Sequence, residues 1–130
     1  MSVQAVVQAA LVTALREIEL ELAVFDAPPV RASRPYALVE EAQLADWGTK
    51  DIAGREGRVS IALFDGGESP ARLRMLVGAA EDAVAAMPRT LGEGWAVASL
   101  VLLRSRIVRE GDNRWRATSE FRLRILRSEL

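Results

Sequence analysis

The sequence contains no cysteine and no histidine, and Lys50 is the only lysine among its 130 residues. These absences exclude disulfides, thiol redox motifs, zinc fingers, and the Ser-His-Asp and Cys-His nucleophile systems. A carboxylate enzyme or a magnesium site is still compatible with the composition. The N-terminal apolar stretch lacks the features of a signal peptide and is too short to span a bilayer. We therefore expect one soluble domain, residues 1–130, with no membrane association.

Charge is nearly balanced overall but unevenly distributed along the chain. The chain has 17 basic and 18 acidic side chains. Sixteen of the basic side chains are arginine. Residues 1–65 hold six basic and ten acidic side chains, whereas residues 66–130 hold eleven and eight. Arginine favours interfaces because its planar guanidinium binds carboxylates and phosphates in bidentate fashion. GC-rich coding would produce the same arginine bias.

The N-terminal segment predicts a helix over about residues 1–20. Its alanine and leucine content favours helix, and its apolar residues cover more than one stripe. A helix that is apolar almost all round is typical of contact with its own domain on one side and another chain on the other. The alternative is a helix buried entirely within its own domain.

The middle of the chain predicts a connector, two strands and a helix. Three prolines within residues 26–35 exclude a helix interior or a central strand there. Residues 36–44 and 58–64 have the composition and alternation of strands. The polar stretch between them predicts a projecting loop over about residues 44–57. Ser69 and Pro70 then begin a helix that is expected to end before Pro88.

The last third predicts a long antiparallel hairpin over residues 96–127, with a turn at residues 110–113. Pairing Arg109 with Trp115 brings apolar residues together on one face and sets Arg104 opposite Glu120. The same register places two leucines on the opposite, arginine-rich face, where a monomer would expose them to solvent. The residues on that face are Leu100, Leu102, Arg104, Arg106, Arg116, Arg122 and Arg124.

Together these elements predict an α+β fold of order α-β-β-α-β-β. Consecutive strands joined by hairpins favour a four-stranded, mainly antiparallel sheet, and both helices can pack on one of its faces.

The residues offer little for catalysis. Glu40 and Glu41 are adjacent on a predicted strand, so they point to opposite sides and form no acid/base pair. The loop carboxylates lack the spacing of a calcium loop, and no phosphate-binding glycine pattern occurs. Ser69 has no base partner and is explained as a helix cap. We expect no enzymatic activity, no cofactor and no metal site.

The arginine-rich face suggests three hypotheses. Its guanidinium groups could hold nucleic acid phosphates, but acidic residues are interspersed and the aromatic platform of single-strand binders is absent. A solvated face, or one paired with acids of a neighbouring chain, fits the sequence better.

Several short motifs resemble those of a known family. Asp26-Ala27-Pro28-Pro29 comes first, followed by Pro35-Tyr36 entering a strand. Asp46-Trp47-Gly48-Thr49-Lys50 and Gly54-Arg55-Glu56 come next, all in a short chain that begins with an apolar helix. Each motif is weak alone, but their order and spacing over the whole chain resemble the tail-completion proteins of long-tailed phages and gene transfer agents. That family is similar in fold to the lambda-type tail terminator.

The resemblance implies a structural virion protein. It implies that six copies form a ring that caps the tail tube, stops its growth and joins the head connector. The tube protein and the connector, or stopper, would then be partners, and double-stranded DNA would pass through the lumen without specific binding. The chain would lie at the head-proximal end of the tail of a phage or gene transfer agent particle, assembled in the bacterial host cytoplasm.

The residues themselves are compatible with a ring. A closed ring uses heterologous contacts, and an acidic first half and a basic second half favour head-to-tail docking. Trp47 could serve as an aromatic anchor on its loop, or it could fold back onto its own hairpin. The candidate interface residues are Asp46, Trp47, Thr49, Lys50, Leu100, Leu102, Arg104, Arg106, Arg122 and Arg124.

Two other functions are compatible with the sequence. The first is a nucleic-acid-binding or regulatory dimer that uses the C-terminal hairpin. The second is a carboxylate-dependent hydrolase, although no spacing in the sequence predicts the two converging acids that it would need.

Overall fold

The computed structural model describes residues 1–128, and the last two residues of the predicted domain lie outside this part. Its elements follow the order α1 (Val3–Arg16), β1 (Ala23–Phe25), β2 (Tyr36–Val39), β3 (Gln43–Asp46), β4 (Ala53–Gly66), α2 (Ala71–Ala85), β5 (Trp95–Gly111) and β6 (Arg114–Arg127). The α+β class is confirmed, as are both helices and the C-terminal hairpin.

The sheet has six strands rather than the four that the sequence predicted. Its order is β1-β2-β4-β6-β5, and β3 pairs with β4 beyond the end of β2. β1 is parallel to β2, whereas the other pairs are antiparallel, so the sheet is mixed. The predicted four-stranded order was wrong because it missed the three-residue β1 and treated β2 and β3 as one strand.

An extra residue separates β2 from β3. Val39 pairs with Ile61 and Gln43 pairs with Arg58. The chain therefore advances four residues from β2 to β3 while β4 advances only three. The buried side chain of Gln8 on α1 bonds to this break. Its amide nitrogen donates to the Val39 carbonyl at 3.5 Å, and its oxygen accepts from the Ala42 N–H at 3.3 Å. The helix thus satisfies backbone groups that the interrupted ladder leaves unpaired.

α1 begins at a serine cap, where Ser2 Oγ accepts from the Ala5 N–H at 3.1 Å. Its large apolar residues face the sheet and α2, and four of its exposed positions carry small or polar side chains: Gln4, Ala9, Thr13 and Arg16. Its valines and leucines therefore pack almost entirely within their own domain, which is the alternative that the sequence left open. α2 begins after Pro70, with Ser69 Oγ accepting from the Ala71 N–H, and ends before Pro88.

One hydrophobic core lies between the two helices and one face of the sheet. We call this the inner face; its β6 residues are Ala117, Ser119, Phe121, Leu123 and Ile125, and all of them are buried. Each large side chain buried there stabilises the fold by roughly 1.5–3 kcal/mol. Both helices lie on the inner face, as the sequence predicted, and the opposite outer face is left to solvent or partners.

The C-terminal hairpin follows the predicted register only in its turn-proximal half. Arg109 pairs with Trp115 and Arg104 with Glu120, as predicted. A bulge then leaves Leu103 without a partner, so Leu102 pairs with Phe121 and Leu100 with Leu123. Since opposite residues share a face, Leu100 and Leu102 lie on the inner face. Their predicted place on the outer face was wrong because one inserted residue reverses the alternation.

The stretch 44–57 is mostly a hairpin rather than a projecting loop. β3 pairs with β4 from Gln43↔Arg58 to Asp46↔Arg55, and the connection spans only residues 47–52. Within it the Trp47 N–H donates to the Gly54 carbonyl at 3.0 Å and the Thr49 N–H to the Ile52 carbonyl at 2.8 Å. Backbone pairing thus continues almost to the turn.

Candidate functional site: the outer face and the β5 edge

Six arginines of β4, β5 and β6 lie on the outer face, and we call them the arginine face: Arg58, Arg104, Arg106, Arg116, Arg122 and Arg124. The β4–β6 and β5–β6 registers put all six on the side opposite the core-facing residues of β6. The sequence had already grouped five of them, and β4 adds the sixth.

Four of these arginines form ion pairs within the protomer. Glu120 Oε1 accepts from Arg58 at 3.1 Å and from Arg104 at 3.4 Å. Arg116 is 3.4 Å from Glu40, and Arg124 Nε is 3.0 Å from Glu56. Pairing with acids of a neighbouring chain was one arrangement that the sequence allowed, but these acids belong to the same chain and lie on β4, on β6 and directly after β2. Such half-exposed pairs each stabilise the fold by only about 0–1 kcal/mol, but they neutralise much of the face.

Arg106 and Arg122 have no carboxylate within 4.0 Å among residues 1–128. Arg122 lies between Arg58 on β4 and Val101 on β5. Its Nε is buried and without a hydrogen-bond partner in the described part of the chain. These two arginines are the members of the face that are available to a partner.

The Trp47 ring packs on the arginine face of its own chain. The ring is half-buried, and the guanidinium carbon of Arg124 lies 5.2 Å from its centroid, which is a cation-π contact. Asp46 Oδ1 accepts from the Gly48 N–H at 3.2 Å, and Thr49 Oγ1 accepts from the backbone of Asp51 and Ile52. Three of the four predicted interface residues in this segment therefore hold the turn together.

The tip of the turn is exposed. Lys50 and Asp51 point into solvent, and Ile52 is 44% exposed. The fourth predicted residue of this segment, Lys50, is therefore the one that is free to meet a partner, together with the apolar Ile52.

β5 exposes a second apolar surface, which we call the β5 strip: Val101, Leu102 and Leu103. Their side chains are 41%, 44% and 40% exposed. Leu100, which precedes them, is half-buried against the core. The strip lies on the last strand of the sheet, and it is apolar on both faces because its three consecutive residues are all apolar. The sequence named Leu100 and Leu102 but missed Val101 and Leu103, since regular alternation would have buried them.

A shallow depression of about 570 Å³ lies beside β3 on the outer face. Leu44 and Ala45 line it on one side and Arg122 and Arg124 on the other, with Gly57 at its floor. A side chain at position 57 would place its Cβ 1.7 Å from the Gln43 carbonyl oxygen, so only glycine allows β3 to approach β4 here.

A groove of about 350 Å³ separates α1 from residues 88–93 and is lined by Ala9, Ala10, Thr13 and Leu91 among others. The small side chains on this side of α1 leave it open. It leaves part of α1 open to a second contact, although most of the apolar residues of the helix are buried in their own domain.

Asp65 is the most deeply buried ionisable group of the described chain, with 2% of its surface exposed. Arg72 on α2 donates to both carboxylate oxygens, with Nε 2.9 Å from Oδ2, and the Gly66 N–H donates to Oδ1 at 2.8 Å. The hydrogen bonds from Arg72 lower the pKa of Asp65, against the opposing effect of burial. This contact ties the start of α2 to the end of β4, so its role is structural.

The described residues contain no other arrangement typical of catalysis. No group of three or more acidic side chains that could hold a metal ion occurs in residues 1–128. Ser119 Oγ donates to Glu81 at 2.6 Å and links β6 to α2 in the core. Within the same part of the chain, neither helix is long and apolar enough to cross a membrane.

These features define an α+β protein with an ion-paired outer face and an open apolar strand edge, surfaces suited to contact with other chains. The comparisons with known proteins agree. The model of the family described as "Tail completion protein gp17" matches residues 3–126, and the chain belongs to this family, as the sequence motifs predicted.

A solved structure gives the same result at the level of the fold. A chain of the "virion of native gene transfer agent (GTA) particle" matches with a TM-score of 0.81 and 26% sequence identity. The match covers 97% of this chain and 99% of that one. No curated protein matches the chain.

Proposed function

We propose that this protein is a tail terminator, a structural component of a phage or gene transfer agent tail. Six copies form a ring on the head-proximal end of the tail tube, end its polymerisation and join it to the head connector. The chain contributes contact surfaces and no catalysis. It resides in the particle, assembled in the bacterial host cytoplasm.

The observation that carries this proposal is the match to a gene transfer agent particle over nearly the full length of both chains. Membership of a tail-completion family supports the same role.

The surfaces of the protomer fit such a ring. A closed ring needs two different patches on each copy, one docking on the other in the next copy. The β5 strip lies on one edge of the sheet, and β3 with the turn around Lys50 that follows it lies on the other, so the two supply such patches. Leu100 supports the strip from the core side, and Leu102 forms part of it.

The charge of the arginine face determines whether DNA could pass it without being bound. Free arginines lining a lumen would hold phosphates and retain the DNA. Here Glu40, Glu56 and Glu120 pair with four of the six arginines and offset three of their positive charges, which is compatible with a lumen that DNA crosses without specific binding. Arg106 and Arg122 are left for contacts with the adjacent subunit, the tube or the connector.

The experiment that tests this proposal is native mass spectrometry of the protein alone and with its tube protein. We expect a complex that contains six copies of this chain bound to tube protein, even if the isolated protein is monomeric. A tube-bound complex with one or two copies, or no binding to tube, contradicts the ring. Lys50→Glu can be measured in the same way to test the exposed turn, because it reverses one surface charge and leaves the core unchanged.

A further inference from the structure

We propose that β5 of one copy pairs edge to edge with β3 of the next, so that the sheets of adjacent subunits join into one continuous sheet around the ring. This inference rests on the proposed function, because it names the subunit interface of the ring. The occupant of the β5 edge is thus a second copy of this chain.

Both strands present open backbone edges in the described part of the chain. β5 is the last strand of the sheet, and its outer edge is bridged only at its beginning, by Thr90 to Ala96 and by the Arg89 carbonyl to the Val97 N–H. β3 pairs with β4 on one side and, within residues 1–128, with no strand on the other. Unpaired strand edges are templates for pairing with another chain.

The two open edges lie on the same rows of the sheet. Gln43 pairs with Arg58, which pairs with Arg122, which pairs with Val101. Two residues further along β3, Ala45 pairs with Glu56, which pairs with Arg124, which pairs with Ser99. Rotation about a ring axis along the strands therefore brings Gln43–Ala45 of one copy beside residues 99–101 of its neighbour.

Strand direction fits as well. β3 is antiparallel to β4, β4 to β6, and β6 to β5, so β3 and β5 run in opposite directions within one protomer. Rotation about an axis along the strands preserves direction, and the new pair is therefore antiparallel. Antiparallel pairing is the more stable arrangement per residue.

The irregularities of the two edges coincide. On the side of the sheet opposite β5, β2 is covered by β1 but β3 has no further strand beside it. The edge strand therefore changes from β1 to β3 at the break between β2 and β3. The bulge at Leu103 lies close to this level on β5, since Arg104 and Glu40 share a row through Glu120 and Ser60. A bulge bends its strand, which lets β5 follow the β3 edge and then turn away from β1.

The side chains brought together are complementary. The β5 strip would cover Leu44 and Ala45 and the depression beside them, removing apolar surface from water on both sides. Beyond the strip, Arg104 and Arg106 of one copy come near Glu40 of the next, which lies on the same outer face. Opposite charges at this position favour head-to-tail docking over pairing of two β5 edges, which would juxtapose arginines.

Engineered disulfides test this seam directly, because the natural chain has no cysteine. Four double variants combine Gln43→Cys or Ala45→Cys with Ser99→Cys or Val101→Cys. These four pairs test the register in which Gln43 lies opposite Val101, and also registers in which β3 and β5 are shifted by two residues in either direction. Directly opposite residues of an antiparallel pair meet the distance requirement of a disulfide, about 4.4–6.8 Å between Cα atoms. The four single variants are controls, and Ala45→Cys with Asp82→Cys on the exposed side of α2 is the matched negative control.

Particles assembled with each variant are oxidised and analysed by denaturing gel without reductant. We expect at least one in-row or shifted pair to give a ladder of covalent species up to six chains, while the controls remain monomeric. Hydrogen exchange gives a second measurement on the unmodified protein: amides of residues 43–46 and 98–103 should exchange at least tenfold more slowly in the ring than in the free protomer.

The outcomes separate the seam from the proposed function. A ring at the tube end that gives no ladder in any double variant, and no slowed exchange at these amides, overturns the seam and leaves the tail terminator intact. Particles whose tail ends hold no ring of this chain overturn the proposed function, and the seam with it.

Discussion

Leu102 lies opposite Phe121 across the β5–β6 ladder, one residue out of the register that begins at the hairpin turn. The insertion of Leu103 causes this shift. As a result, Leu100 and Leu102 face the core side of the sheet and Val101 lies beside Arg122 on the outer face, the reverse of the regular register. The bulge thus decides which side chains of this exposed apolar run lie on which face of the edge strand.

Leu103→Glu tests the importance of this strip. Leu103 is 40% exposed, so we expect the free energy of unfolding of the protomer to fall by only about 1 kcal/mol or less. Ring formation on the tube should be lost, because a charge would be buried without a partner. Thermal melting and native mass spectrometry measure the two effects. Met75→Glu, at a 55% exposed position on α2, is the control and should assemble normally.

Trp47→Ala measures how much the half-buried ring contributes to the stability of its own protomer. Loss of the contact with Arg124 and of the packed ring surface should destabilise the protomer by about 1–2 kcal/mol. Phe121→Ala, which opens the core, should cost about 3–5 kcal/mol. Chemical denaturation compares the two. If Trp47→Ala leaves stability unchanged but abolishes assembly, Trp47 is a free anchor and the packing described above is not its role.

The Asp65–Arg72 contact predicts a specific dependence of stability on pH. The pKa of Asp65 is lowered in the folded protein, so the stabilisation is complete above the pKa of the unfolded side chain, about 3.9. It is lost as pH falls through the lower, folded value. At neutral pH, Asp65→Asn should cost roughly 1–3 kcal/mol, toward the lower end because Arg72 is half-exposed.

Denaturation of this variant and the parent between pH 7 and pH 2 provides the test. The gap between them should narrow as the solution is acidified. Asp82→Asn, on the exposed side of α2, should show no such gap at any pH. A constant gap for Asp65→Asn would show that the carboxylate charge does not contribute.

Binding to double-stranded DNA distinguishes the terminator from a nucleic-acid-binding dimer. Because most of the arginine face is paired with glutamates of the same chain, we expect no measurable binding at physiological salt. Glu120→Gln frees both Arg58 and Arg104 and should increase DNA binding at low salt. Fluorescence anisotropy against salt concentration measures both. Tight binding by the parent protein with a steep salt dependence would favour the nucleic-acid-binding alternative.

The sequence predicted the elements that have a strong period. Both helices, the strand around Ile61 and the alternation of β6 follow from apolar spacing, and the pairing of Arg104 with Glu120 follows from turn position. The bulge at Leu103 could not be predicted, because Leu100 to Leu103 are all apolar and fit either register equally well.

The remaining differences arise from tertiary contacts. β1 is only three residues long and forms because β2 offers it an edge, so no local pattern marks it. The break between β2 and β3 depends on Gln8, which lies on another element. The acids that pair with the arginine face lie on β4, on β6 and directly after β2, and only the assembled sheet brings them to one side.

Tail length measured by electron microscopy in particles made without this protein tests the central claim most directly. A terminator stops polymerisation of the tube, so we predict tubes of uncontrolled length that are not joined to heads. Supplying the protein in trans should restore uniform tails attached to heads. Tails of normal length, joined to heads in the absence of the protein, would contradict the claim.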